Sequence, residues 1–254
     1  MEFARRPLMA GNWKMYKTQA QAVAYAQTFA PLVAGVGDRD ILLCAPFTDL
    51  TVLVGAAAGT NVKVGAQNMH YAPEGAFTGE VSAAMLLEVG VEAVILGHSE
   101  RRQYFAENDT ELAQKVRVAL DSGLLPVLCC GETDEERVAG HTEDKIGRQI
   151  DRDLAVVKAE ELAAIAIAYA PIWAIGTGKT ATAEIAQETV AFVRSRLRQA
   201  FGPVADDVRI LYGGSVKASN IDELMAQPDI DGVLVGGASL DPVEFARIAG
   251  FTTA

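Results

Sequence analysis

Two stretches hold the residues best suited to chemistry. Asn12 and Lys14 stand in "GNWKM" and His98 and Glu100 in "VILGHSERR", each pair directly after an apolar run. A lysine is ordinarily a solvated surface cation, and a histidine at a helix start is ordinarily satisfied locally. What favours a site here is their shared place where a strand gives way to a loop. Ser99, Glu100 and Arg101 read as the opening of a helix, whose positive end favours a neutral imidazole at His98. A neutral imidazole donates a hydrogen bond to a carbonyl without committing a proton. His70 and His141 lie among loop and helix polar residues and read as surface groups.

Three glycine-rich loops, "AIGTGKT", "YGGSVK" and "VGGASL", follow the last three apolar runs. One glycine pair is an ordinary turn more often than an anion nest, but three in succession, two of them opening a helix, suit a phosphate site. The chain carries a net charge of -11, and its pI near 4.8 leaves little room for the basic face that nucleic acid or an anionic membrane would require. An anion must therefore be held by backbone N–H groups together with Lys14. Cys44, Cys129 and Cys130 lie in or at the ends of strand patterns and read as reduced core thiols. No CxxC or Cys/His spacing accompanies them, so no metal is expected.

The elements that must position these groups alternate along the whole chain. Strands are predicted at 8–12, 41–45, 62–66, 93–97, 126–130, 164–169, 208–212 and 232–235. Helices are predicted at 20–29, 81–89, 111–122, 144–158, 183–200, 220–226 and 242–249. Half of the 254 residues are hydrophobic, no linker interrupts them, and the alternation implies an α/β fold of one domain over residues 1–254, closed as a (β/α)8 barrel. A doubly wound sheet is the rival, but GxGxxG after the first strand is absent. No apolar run is long enough to span a membrane, and "MEFARRPLMAGNW" holds no secretory h-region, so a cytoplasmic location is expected. In such a barrel Asn12, Lys14, Gln67, Asn68, His98, Glu100, Glu132, Ala170, Ser215, Gly236 and Gly237 meet on the rim at the C-terminal strand ends.

With these residues in place the chain resembles the triosephosphate isomerase family in order and nearly end to end. The matching segments include "AGNWKM", "APFTDL", "GAQNMH", "GAFTGEVS", "ILGHSERR", "CCGE", "IWAIGTGKTAT", "LYGGSVK" and "GVLVGGASL". The resemblance implies interconversion of dihydroxyacetone phosphate and glyceraldehyde 3-phosphate through an enediolate, without a cofactor. It implies that Asn12 and Lys14 bind substrate oxygens, that His98 is the electrophile, and that Glu100 supports them. Gly176, Ser215, Gly236 and Gly237 would give N–H groups to the phosphate. Pro171, Ile172 and Trp173, with Lys179, Thr180 and Ala181, would be the hinges of a closing loop with its tip at residues 174–178. The loop at 67–80, which opens on Gln67 and closes on Glu80, would form a homodimer, its tip near Thr78 reaching the neighbour's Asn12 and Lys14 region.

One position departs from the pattern. The resemblance places a catalytic glutamate immediately before Pro171, where this chain has Ala170 while every neighbour matches. The expectation is an active-site variant that has lost its base but still binds triose phosphates and phosphate-bearing analogues. A non-catalytic phosphosugar-binding barrel is the alternative, and another phosphosugar enzyme of the same barrel class a third.

Overall fold

The computed structural model describes residues 5–174 and 181–252. Eight parallel strands close into a barrel in sequence order: β1 (Leu8–Asn12), β2 (Asp40–Ala45), β3 (Val62–Ala66), β4 (Ala93–Leu96), β5 (Leu125–Cys130), β6 (Ala166–Tyr169), β7 (Arg209–Tyr212) and β8 (Gly232–Val235). The helices among the described residues are α1 (Gln19–Val33), α2 (Leu50–Ala57), α3 (Ala83–Val89), α4 (Ser99–Tyr104), α5 (Asp109–Asp121), α6 (Asp134–Val138), α7 (Thr142–Asp153), α8 (Ala183–Phe201), α9 (Ile221–Met225) and α10 (Pro242–Ala249).

The strands are apolar because both of their faces are covered. Leu8, Ala10, Leu42, Cys44, Ile95, Val127, Cys129, Leu211 and Leu234 point inward and fill the barrel. Their sequence neighbours, such as Met9, Ile41, Leu43, Val94 and Ile210, point outward against the helices. All three cysteines are free and buried, and burial pushes each thiol well above its ordinary range, which makes them inert packing.

Several boundaries differ from the sequence expectation. The helix expected over 144–158 runs from Thr142 to Asp153, and a separate 3-10 turn at Ala159–Ala164 takes the first residue expected of β6. Short helices α2 and α6 were not expected. His70 is half-buried instead of lying on the surface: its ring stacks 4.4 Å from that of Tyr71 and 4.1 Å from that of Phe77, and its Nδ1 accepts the Ala72 N–H. His141 is exposed.

The seam between β7 and β8 is fastened at its lower end by Asp231. Its backbone N–H donates to Ile210 O (2.8 Å), its carbonyl accepts the Leu8 N–H (2.9 Å), and its Oδ2 accepts the Ile210 N–H (2.9 Å) and Arg194 (2.6 Å). Arg194 is itself buried and also donates to Asp229 Oδ1 (2.6 Å) and to the carbonyls of Ala205 (2.9 Å) and Val208 (3.0 Å). Removing one partner of a buried charge network leaves the other uncompensated. Arg194→Met is expected to destabilise the fold by about 3–5 kcal/mol, read as a lowered urea midpoint.

Candidate active site

The first site loop leaves β1 through a backbone that disfavours ordinary side chains. Lys14 sits at φ 52° and Lys17 at φ 76°, both in the left-handed region. Side chains hold the strained turn from two directions. Asn12 Oδ1 accepts the Lys14 N–H at 3.0 Å, and Gln67 Nε2 donates to Lys14 O (2.9 Å) and to Cys44 O (3.1 Å). Lys17 ties this loop to the one after β8: its ammonium lies 4.7 Å from the Tyr25 ring and 5.2 Å from the Trp13 ring, and donates to Leu240 O at 2.9 Å. Nothing in the sequence marks Lys17 for this place, since neither its backbone twist nor its aromatic cradle has a local signature.

The Lys14 ammonium pairs with Glu100 Oε1 at 2.6 Å, and the Lys14 stem runs alongside Gly236, where an added β-carbon would stand 3.4 Å from Cε. His98 caps α4, its Nδ1 accepting the Glu100 N–H at 3.3 Å. That bond places the proton of a neutral ring on Nε2. Burial pushes the His98 imidazole down to about 4; Glu100 opposes the shift and Lys14 adds to it. Desolvation, more than the helix start read from the sequence, keeps the ring neutral.

The loops after β7 and β8 supply the other wall. A β-carbon on Gly214 would lie 2.1 Å from the Tyr212 hydroxyl, so this turn requires glycine. Asn220 Nδ2 donates to Ser215 O at 3.0 Å and steadies the loop. Gly237 opens a 3-10 turn to Leu240, which leaves its N–H and that of Ala238 without partners inside the turn. Asn12, Lys14, His98, Ala170, Ser215, Gly236 and Gly237 all line one cavity of about 390 Å³. Lys217 and Glu244, which sequence reasoning did not select, line it too.

Other expected rim groups serve elsewhere. Asn68 is buried and accepts from Lys115 Nζ at 2.9 Å. Glu132 is fully buried; its Oε1 accepts from Tyr169 Oη (3.2 Å), Trp173 Nε1 (3.0 Å) and Arg137 (3.3 Å), and it does not line the cavity. Arg137 also lies 4.8 Å over the Trp173 ring. Pro171 follows Ala170 directly, and Ile172–Ala174 forms a 3-10 turn held by Ile172 N–H on Glu132 O at 3.0 Å. Ala181 is buried beside Thr182, which caps α8. Gly176, Lys179 and Thr180 lie outside the described residues.

A family model described as "Triosephosphate isomerase" matches residues 7–252. The chain belongs to the triosephosphate isomerase family. It is 53% identical over 248 residues to "Triosephosphate isomerase" of Solibacter usitatus, covering 97% of this chain and all of that protein, and 51% identical over 247 residues to that of Moorella thermoacetica, covering 97% and 99%. The crystal structure of triosephosphate isomerase from Bartonella henselae superposes with a TM-score of 0.86 at 37% identity, over 96% of this chain and 97% of that one. Membership of the triosephosphate isomerase family covers the barrel and all three wall-forming loops, so the cavity belongs to the family fold.

The depressed His98 value has a defined sign in folding. The unfolded imidazole, near 6.5, binds a proton that the native ring, near 4, refuses, so protonation favours unfolding. The contribution is complete above pH about 6.5 and is lost as pH falls from there towards about 4. His98→Asn is expected to flatten the fall in urea midpoint between pH 7 and pH 5.

Proposed function

We propose that this chain is a triose-phosphate isomerase lacking its proton-abstracting base: it binds triose phosphates and polarises their carbonyl, but turns them over slowly. The observation that carries this reading is Ala170, which brings only a methyl to a cavity it shares with Asn12, Lys14 and His98. The Nε2–H of His98 would donate to the carbonyl oxygen and move protons between oxygens, while Lys14 offsets the negative charge that develops there. Ser215, Gly236 and Gly237 would hold the phosphate, with Gly176 added from the loop after β6. Asn12 and Glu100 act on Lys14, one through its backbone and the other through its ammonium.

The nearby carboxylates are poorly placed to replace a glutamate at 170. Glu100 is paired with Lys14, Glu132 is buried outside the cavity, and Glu244 belongs to α10, against the loop after β8. Loss of a general base costs about 10² to 10⁴ in rate. Ala170→Glu is expected to raise kcat by about 10³ or more with KM within a few-fold, measured as isomerisation of glyceraldehyde 3-phosphate. The same alanine equally suits a non-catalytic phosphosugar-binding barrel; sluggish turnover of Ala170→Glu with retained affinity for 2-phosphoglycolate would favour that reading.

The protein acts as a homodimer in this reading. Phe77 within the 67–80 loop is exposed, as are Met15, Met85, Tyr104 and Phe105. Met69, in the same loop, is buried within its own chain. Light scattering at micromolar concentration is expected to give twice the 26.9 kDa chain mass. No helix among the described residues is long and apolar enough to cross a membrane.

A further inference from the structure

The backbone around Ala170 is held on both sides. The Ala170 N–H donates to Cys130 O at 2.8 Å and the Gly213 N–H to Tyr169 O at 2.7 Å, so β5 and β7 grip the end of β6 from both sides. On the β5 side a β-carbon at Gly131 would stand 2.0 Å from Ala170 O; on the β7 side one at Gly213 would stand 3.1 Å from Ala170 Cβ. The strand end cannot move to fill the space above its own methyl. Ala170 lines the cavity together with His98, Asn12 and Lys14, and among the described lining residues Lys14 and Lys217 set two cations against one carboxylate, Glu244, in a chain that is otherwise strongly acidic.

We propose that the space above Ala170 binds a small carboxylate of formate size, which then serves as an exchangeable base. This rests on the reading of Ala170 as a missing base. A formate oxygen takes the proton from the substrate carbon beside the carbonyl, forming the O–H bond of formic acid. The C–H electron pair becomes the enediolate double bond, and the carbonyl π pair moves onto its oxygen, opposite His98 and Lys14. His98 moves the hydroxyl proton from the first oxygen to the second, formic acid returns its proton to the neighbouring carbon as the enediolate double-bond pair forms that C–H bond and the first oxygen closes the new carbonyl, and formate is regenerated. Nothing is consumed.

Size decides which acid works. A glutamate carboxyl carbon lies two bonds beyond Cβ, about 2.5 Å away, whereas an unbonded carbon approaches Cβ only to about 3.5–4.0 Å. Formate can thus bring its carboxylate to about 1–1.5 Å from the tethered position. Acetate must also fit a methyl between, which pushes its carboxylate about 2 Å or more outward. Misplacement by about 1 Å costs roughly 10²-fold, so rescue is partial for formate and slight for acetate. Acetate is the stronger base in water, so a formate preference reports fit to the space and not basicity.

The test is isomerase turnover of the chain as it stands, titrated with sodium formate, acetate and benzoate against sodium chloride at matched ionic strength. The expected result is a saturable rise of about tenfold with formate, a smaller one with acetate, and none with benzoate or chloride. Ala170→Gly should improve acetate relative to formate, and Ala170→Leu should abolish both responses. A flat titration overturns the site, as does a non-saturating rise in which acetate exceeds formate, or an undiminished response in Ala170→Leu. Full activity of Ala170→Glu beside a flat formate titration would leave the missing-base reading standing and remove only the carboxylate site. An inactive but folded Ala170→Glu, with its urea midpoint unchanged, would remove both.

Discussion

Closure of the sheet is the constraint on which the site depends. β1 pairs with β2 on one side and β8 on the other, and only that second pairing brings the first loop against the last. Lys14 lies along Gly236 and Lys17 reaches Leu240 because strands one and eight are neighbours in space, although more than two hundred residues separate them in the chain. The β1–β8 ladder runs from Leu8 to Gly11, and at its lower end Asp231 and Arg194 add a buried charge network. The upper face is thereby free to carry strained backbone at Lys14 and Lys17, where the surrounding hydrogen bonds over-determine an otherwise costly conformation.

The second organising feature is how an acidic chain presents a cationic interior to an anion. The chain carries a net charge of -11, whereas Glu100 and Glu132, the carboxylates at the ends of the neighbouring strands, are engaged with donors. Glu100 neutralises part of Lys14 without entering the cavity, and Glu132 accepts three donors behind β6. The cavity wall is left to lysine, a neutral imidazole and N–H groups, with Glu244 at one margin. Such groups are fixed before ligand arrives, so little reorganisation is required when charge develops on an oxygen.

Much of this was legible in the sequence, for physical reasons that also explain the failures. Strands buried on both faces are apolar runs bounded by polar or glycine residues, and their ends were read to within about two residues. Helix α2, "LTVLVGAA", was missed because it is short, apolar and β-branched, without a polar face to set a helical period. Lys14, His98 and the glycine loops were found because strand ends in a barrel converge. The positive φ at Lys14, the tether through Lys17 and the withdrawal of Glu132 behind its strand were not legible, because each depends on contacts between loops distant in sequence. His70 failed likewise: its aromatic neighbours are one and seven residues away, but only the folded loop stacks them.

The grip of β5 and β7 on the backbone of residue 170 has a consequence for inheritance. The hydrogen bonds that fix that strand end are made by main-chain atoms and the close approaches are to glycines, so its position is set without help from the side chain of residue 170. Exchange of the side chain there leaves these hydrogen bonds in place. Two of the four alanine codons differ from a glutamate codon at a single middle base. A lineage can lose or regain the carboxylate there in one nucleotide step, without passing through a misfolded intermediate.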